Sequence, residues 1–370
     1  MQLGATLKML ILVLCREEHH LKLISGYSQA LRRRDIDLYY VQGALSFDTP
    51  LSEILRQCPA RPSWIFQFDS DYPLLPSDLT KSAIPTVCFR ADTYLNTSRQ
   101  FRWSTLFDHV AIFHPGYVET FKEAGHPGAF LLPWAVRREL FQAPDPVREY
   151  DVGWVGQTGS RVYKKRARLL PMISSAFRVN DWRRSYTLDE VVEVYRRSRV
   201  VVNIGRDDFP QDANMRVFEV MASGALLITA LPNELSRLGF QEGVHFVGYR
   251  RESDIVPLVR SYLDNEPGRL RITRAARAKV LEEHTYDARV DALLRHLRAA
   301  GEAQLAPARA WPEHRVRLMY MDFFSSVGLP SYCRKNFWHI AGDGFLDTLD
   351  AAKLMVKAWA KSREKDLGYF

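Results

Sequence analysis

The sequence predicts an α/β protein of two doubly wound, Rossmann-like domains facing a cleft, followed by a helical C-terminal extension. Three observations predict it. The chain has 370 residues, too many for one ordinary core. Short, continuously apolar runs alternate with helical segments, as in a parallel sheet covered on both faces. That alternation occurs twice, on either side of a proline-rich break from Pro133 to Pro146. The expected domains are 1–140, 141–300 and 301–370, the last packing back on the first.

In the first block the strand candidates are Met9–Leu14, Leu38–Val41, Trp64–Phe68, Thr86–Phe89, Val110–Phe113 and Ala129–Leu132. Helices are expected around Leu21–Arg33, Pro50–Gln57, Ser77–Ser82 and Tyr117–Ala124. The second block starts with a strand at Asp151–Val155, a glycine loop at Gly156–Ser160 and a basic helix over Val162–Ala176. Phe177–Val179 is a short strand candidate, and Asp189–Arg197 a helix with apolar Val191, Val192, Val194 and Tyr195. Val200–Ile204 is a buried strand, and Gly205–Asn214 a polar loop. A helix from Met215 ends at Gly224, a residue suited to a left-handed cap. Strands at Ala225–Thr229 and Phe246–Tyr249 and helices at Asp254–Asp264 and Arg269–His284 complete the block. Beyond a linker at Ala306–Pro312 come a helix at His314–Ser326, a turn-rich patch at Val327–Gly344 and an amphipathic helix at Phe345–Arg363. This tail either packs on the first domain or touches a membrane surface or an acceptor.

Composition narrows the function. An apolar share of 46% with 25% charged residues is that of a soluble globular protein. No window approaches the roughly 18 apolar residues of a membrane span. The run Leu7–Cys15 is interrupted by Lys8 and lacks a cleavage pattern, so it reads as a strand rather than a signal peptide. Cys15, Cys58, Cys88 and Cys333 are scattered, with no C-x-x-C pair, and are expected to be reduced thiols in a cytoplasmic protein, with the inner membrane surface as the alternative site of action. A net charge of +8 permits anionic partners, but the arginines form no single tract, and no aromatic–basic RNA motif or zinc spacing is present. These features argue against nucleic acid as the main ligand. The dinucleotide pattern G-x-G-x-x-G and the P-loop are absent, which argues against a dehydrogenase and a P-loop kinase.

Glu219 is an acid inside an otherwise apolar helical turn, one turn from a loop at the carboxyl end of a strand, where open parallel sheets bind ligands. A carboxylate there can accept hydrogen bonds from two neighbouring hydroxyls, such as those of a ribose. The segment resembles the nucleotide-sugar glycosyltransferases of the GT-B fold, and in particular the group that includes the spore-maturation protein CgeB and the glycosyl transferases group 1. Asn214, Arg216, Phe218, Glu219, Ala222 and Gly224 match the family helix N-x-R-x-F-E-x-x-A-x-G. DVGWVGQTGSR (Asp151–Arg161), EEHTYDARVDALL (Glu282–Leu294) and LPWAV (Leu132–Val136) resemble the family's glycine loop, closing segment and interdomain linker. The resemblance spans about residues 8–300.

The resemblance implies transfer of a sugar from a UDP-, GDP-, ADP- or dTDP-sugar to an acceptor hydroxyl, with retention and with no metal or other cofactor. Donor contacts are expected from Gly156, Gly159, Arg161, Lys165, Asn214, Met215, Arg216 and Glu219. The glycine loop and the helix start after it, with free N–H groups, would receive phosphate. Asp92, His114 and Arg206 are the catalytic candidates. Asp69, Asp71 and Arg90, at strand ends of the first domain, are candidates for acceptor contact, with His19 and His20 as further lining residues. The retaining families carry two glutamates with seven residues between them, and here the first position is Gln211. Either Asp208 or Asp212 supplies the missing carboxylate, or that position is not needed. The acceptor is left open among glycan, lipid-linked, protein and small-molecule hydroxyls. The alternative from another class is a non-catalytic sugar-nucleotide or glycan-binding protein on the same fold.

Overall fold

The computed structural model describes residues 8–19, 25–43, 45–68, 74–341 and 345–366. The chain divides into two compact units, one of residues 1–113, 117–131 and 296–370, the other of 114–116 and 132–295.

The first unit holds a six-stranded parallel sheet in the order β2-β1-β3-β4-β5-β6. In chain order its elements are β1 (Leu10–Val13), α1 (Ser25–Arg32), β2 (Asp37–Tyr40), α2 (Leu51–Leu55), β3 (Trp64–Gln67), β4 (Thr86–Arg90), α3 (Thr97–Ser104), β5 (His109–Ile112), α4 (Val118–Glu123) and β6 (Ala129–Leu131). Every residue of β1, β3, β4 and β5 is buried, as the apolar runs require of strands covered on both faces. Helix α1 lays Tyr27, Ala30 and Leu31 on the core, where the Tyr27 ring meets Phe68, Phe89 and Phe113. Helix α3 has no apolar stripe to announce it. Its Arg102 and Trp103 instead reach Asp322 in the C-terminal part of the same unit, at 3.0 and 3.2 Å.

The second unit holds a four-stranded parallel sheet in the order β10-β9-β8-β7. Its elements are β7 (Tyr150–Gly153), α5 (Lys164–Ala176), α6 (Leu188–Arg196), β8 (Ser198–Asn203), α7 (Met215–Ala222), β9 (Leu226–Ala230), β10 (Val247–Tyr249), α8 (Ile255–Asp264), α9 (Glu266–Glu283) and the start of α10 (Tyr286–Ala300). Val152, Val200, Val202, Leu226 and Ile228 on the sheet join Leu169, Leu170 and Ile173 of α5 and Ile255 and Val259 of α8 in one core. Residues 177–179 form only an isolated bridge, Val152 to Val179. Gly224, at φ +73°, follows the end of α7 in the left-handed conformation that glycine adopts without steric cost.

Three helices close the chain: α11 (Glu313–Ser326), α12 (Pro330–Ile340) and α13 (Phe345–Asp366). Helix α12 corrects the expectation of a turn-rich patch at 327–344. Pro330 occupies its first turn, where a missing N–H costs nothing and φ is already helical. The three helices pack on one another, and α11 also packs on α3. Among the described residues no helix is long and apolar enough to cross a membrane. Cys15, Cys88 and Cys333 are buried and Cys58 half-buried, and none of the four is in a disulfide.

Buried Asp108 clasps the segment after α10 to the first sheet. It accepts from the backbone N–H and hydroxyl of Thr86, from the N–H of Ala306, and from the Arg309 guanidinium at 2.9 and 3.0 Å. Burial alone would raise its pKa, but Arg309 and the Ala306 N–H outweigh that and hold it below the usual carboxylate range. Asp108→Asn leaves the guanidinium without its counter-charge, and we expect it to cost about 3 kcal/mol at neutral pH. A depressed pKa contributes stability that is present above the unfolded value and lost as pH falls through the folded one. The Tm gap between wild type and variant, read by calorimetry, should therefore shrink in acid.

Candidate functional site

The carboxyl ends of β7 and β8 in the second unit gather most of the candidate side chains. After β7 the chain turns at Trp154, which is buried and tied by two bonds to Asn180: Trp154 N–H donates to Oδ1 at 2.8 Å, and Nδ2 donates back to Trp154 O at 2.9 Å. The glycine loop follows. A Cβ on Gly156 would lie 2.6 Å from Arg216 Nη2 and 3.1 Å from the Trp154 ring, so a side chain there would require the guanidinium to shift. A Cβ on Gly159 would meet nothing, so its place rests on no steric demand.

Of the basic residues after this loop, Arg161 is exposed and Lys165 half-buried. Arg166 is the buried one. It donates to Gln157 O and Ile204 O, both at 2.9 Å, and stacks 3.9 Å from the Tyr163 ring centre. The expected free N–H groups at the start of α5 are partly taken. Asp207 accepts from Lys164 N–H at 2.8 Å and Lys165 N–H at 3.3 Å. A carboxylate from the β8 loop thus caps the helix end that was expected to receive phosphate.

Asn203 ends β8 in register with Thr229 of β9 and donates to its hydroxyl at 3.1 Å. Its Oδ1 accepts from Arg216 Nη1 at 3.0 Å, and Arg216 Nε donates to Val155 O at 3.1 Å. Arg216 therefore links β8, α7 and the glycine loop. Arg166 and Arg216 both lie over Trp154, and Arg206 lies 5.7 Å from Tyr163. Burial, then the neighbouring Arg216, lowers the Arg166 pKa to about 10. Such crowding of cations favours an anion nearby. Arg206 also forks onto exposed Asp208, with both bonds at 2.9 Å.

Glu219, one turn into α7, is 7% exposed. Burial pushes its pKa up to about 7, against the pull of Arg216. Its charge raises the pKa of Tyr195 and Tyr286, which are themselves pushed up mainly by burial. Asn214 precedes the helix in an extended conformation and makes no side-chain cap bond, and its Oδ1 is buried without a partner. Met215, half-buried, begins α7.

His114 belongs to the second unit and is 1% exposed. Its Nδ1 lies 2.8 Å from Glu234 Oε2 and 3.8 Å from Asp212 Oδ1, with Phe209 edge-on at 5.2 Å. Ligand atoms of all three lie within 4.8 Å of one another, so this is the group in the described residues whose donors could close on a metal ion. The 2.8 Å contact itself is hydrogen-bond geometry. Gln211 is exposed, and its carbonyl accepts from Glu234 N–H at 3.0 Å. Of the two acids named for the missing carboxylate, Asp212 is the buried one beside His114, and Asp208 is committed to Arg206.

In the first unit, the Arg90 side chain is buried. It is 4% exposed and donates to Phe89 O and Gln67 Oε1 at 3.2 and 3.3 Å. Asp92 is exposed in the turn after β4, where its carbonyl accepts from Leu95 N–H. Asp69, Asp71 and His20 lie outside the described residues, as does the side chain of His19. Asn203, Glu234 and the buried placement of Arg166 are absent from the sequence reading. Glu234 carried one signal, an acid directly after the Asn233 cap at the carboxyl end of β9.

Residues 138–295 match the family model described as glycosyl transferase-like. The HepE protein of Anabaena, solved with UDP, superposes at a TM-score of 0.54 with 13% identity, over 79% of this chain and 100% of that one. The fold is GT-B. A glycosyltransferase from Rickettsia africae gives 0.55 at 10% identity, over 80% and 100% of the two chains. The sucrose-phosphate synthase of Thermosynechococcus elongatus gives 0.54 at 11%, over 79% and 100%. No curated protein matches the chain. The glycosyl transferase-like region spans the glycine loop, the arginines, Glu219 and Glu234.

 Replacing Arg216 with Met should remove its bonds to Val155 and Asn203 and the cationic pull that lowers the Glu219 pKa. We expect a loss of about 2 kcal/mol in stability from the two unmade bonds. The Glu219 carboxyl should then titrate above 7, as read by carbon-detected NMR. A Glu219 titration that stays in place would show that Arg216 does not act on it.

Proposed function

We propose that this chain is a glycosyltransferase that moves a sugar from a nucleoside diphosphate donor to an acceptor hydroxyl. The observation that carries the reading is the buried Glu219 carboxyl on the same helix as Arg216, with the Arg166, Arg206 and Arg216 cluster around the glycine loop. In this reading Glu219 accepts hydrogen bonds from the two ribose hydroxyls, and the arginine cluster faces the diphosphate. Bond cleavage at the anomeric carbon leaves negative charge on the departing diphosphate. Cations already held in place stabilise that charge without reorganising during the reaction.

We assign this stabilisation to the arginines, with Asn214 and Met215 at the start of α7 contributing backbone polarity, rather than to a metal. The acceptor oxygen bonds to the anomeric carbon, and its proton passes to a base. Asp92, exposed at the carboxyl end of β4, is our candidate for orienting that hydroxyl. His114, held by Glu234, is the second candidate for a proton-handling role. Retention is the outcome the family resemblance supports, and the anomeric coupling in the product NMR spectrum distinguishes it from inversion.

HepE has been solved with UDP, with UDP and glucose, and with UDP-glucose, so uridine donors come first in a ligand screen. A ligand at about 100 times its dissociation constant should add roughly 2.7 kcal/mol of stability, visible as a thermal shift. Glu219→Ala should abolish that shift while the protein stays folded. An unchanged shift would remove the ribose assignment. Donor that binds without nucleotide release, across a broad acceptor panel, would favour the non-catalytic binder.

Titration gives a further expectation. A diol acceptor site needs the ionised carboxylate, so nucleotide affinity should rise as pH climbs through about 7. The stability effect has the opposite sign. A pKa raised on folding contributes stability that is present below the unfolded value and lost as pH rises through the folded one. Glu219→Gln should therefore have the higher Tm of the pair at alkaline pH and the weaker nucleotide binding, with Tm and calorimetric titration as the readouts.

A further inference from the structure

The last helix carries an apolar strip on its outer side. Helix α13 buries Ala351 and Ala358 completely, and it packs on α11 and α12. Away from that contact stand Leu346, Leu349, Val356 and Trp359, exposed by 74%, 42%, 70% and 56%. At roughly 100° per residue their spacing sets all four in an arc of about 140° on one side of the helix. Helix α12, packed on α13, also exposes Trp338, by 71%. Scattered exposed apolar residues are ordinary, but most of those exposed among the described residues fall in this one stretch.

The charges in and around the strip are mainly positive. Lys353 and Arg363 fall in the same arc, and the Arg363 guanidinium lies 5.8 Å from the Trp359 ring centre. Lys353 is 3.0 Å from Asp350, but both side chains are more than 60% exposed, so water screens that pair. Lys357 is directed instead to buried Asp322, at 3.3 Å. Between Leu346 and Arg363, Asp347 and Asp350 fall outside the apolar arc, and Glu364, the next residue, returns to the azimuth of Leu346 at its edge. A second copy docking strip to strip would bring like charges together. Anionic headgroups would neutralise them, while tryptophan rings settle at the headgroup level and the apolar side chains enter the acyl boundary.

We propose that this face of α13 docks the protein on an anionic lipid bilayer, lying in the interface rather than crossing it. The net charge of +8 draws the protein towards such a surface. The proposal is independent of the reaction assigned above.

The experiment is co-sedimentation of the full chain with phosphatidylcholine vesicles, with and without phosphatidylglycerol. Binding should require phosphatidylglycerol and weaken with salt. The triple variant Leu346→Ser, Val356→Ser, Trp359→Ser should bind at least about tenfold more weakly, since each exposed side chain loses its apolar insertion. Lys353→Glu with Arg363→Glu should lower binding to anionic vesicles by a similar factor. All five positions are exposed, and circular dichroism with an unchanged Tm checks that the variants fold. Equal binding by wild type and triple variant, or no binding to anionic vesicles, overturns the proposal. So does a wild-type dimer in sedimentation equilibrium that the triple variant converts to monomer, because a second copy would then cover the strip.

Discussion

Arg216 is the side chain on which the second unit's site depends. It bonds Val155 at the root of the glycine loop and Asn203 at the end of β8, while its own backbone lies in the first turn of α7. Three separate chain segments therefore take their spacing from one guanidinium. The planar fork makes this possible, because its donors leave in fixed directions and hold two acceptors at once. Gly156 completes the arrangement, since a Cβ there would collide with the same group. Lysine has neither the reach in two directions nor the rigidity to replace it.

Around that centre the unit keeps charges under strain of burial. Arg166 is lowered towards 10 by desolvation and by Arg216, and Glu219 is raised towards 7 by desolvation. The two shifts have one cause: a dry pocket disfavours whichever form is charged. An anionic ligand would relieve the arginines, and hydroxyl donors would favour the ionised glutamate. The His114, Asp212 and Glu234 group handles burial differently, with an imidazole nitrogen 2.8 Å from one carboxylate and 3.8 Å from the other. Asp207 shows a third solution, an acid lying across the start of α5 and capping its N–H groups. The acids of one loop thus have distinct tasks, which their shared residue type conceals.

The first unit is held by long-range polar clasps over an aromatic core. Asp108 secures the segment after α10, and Asp322 collects Arg102, Trp103 and Lys357. Each carboxylate is almost fully buried and each is surrounded by donors, which is the condition under which a buried charge is tolerated. These clasps join residues about two hundred positions apart, so the C-terminal helices are part of this unit's architecture and not an appended tail.

The sheets were legible because parallel strands buried on both faces read as unbroken apolar runs, and Val200–Ile204 is the plainest case. Glu219 was legible too, as a charge where the helix pattern asks for an apolar residue. Helix α3 was not, because its polar sequence is held by Asp322 from a distant segment rather than by a stripe of its own. Helix α12 was hidden by Pro330, which reads as a break unless the first helical turn is recognised. The burial of Arg90, the capping role of Asp207 and the pairing of His114 with Glu234 appear only on folding. Local pattern records which side chains prefer to leave water; which charge meets which depends on contacts between residues far apart in the chain, and only the tertiary structure decides those.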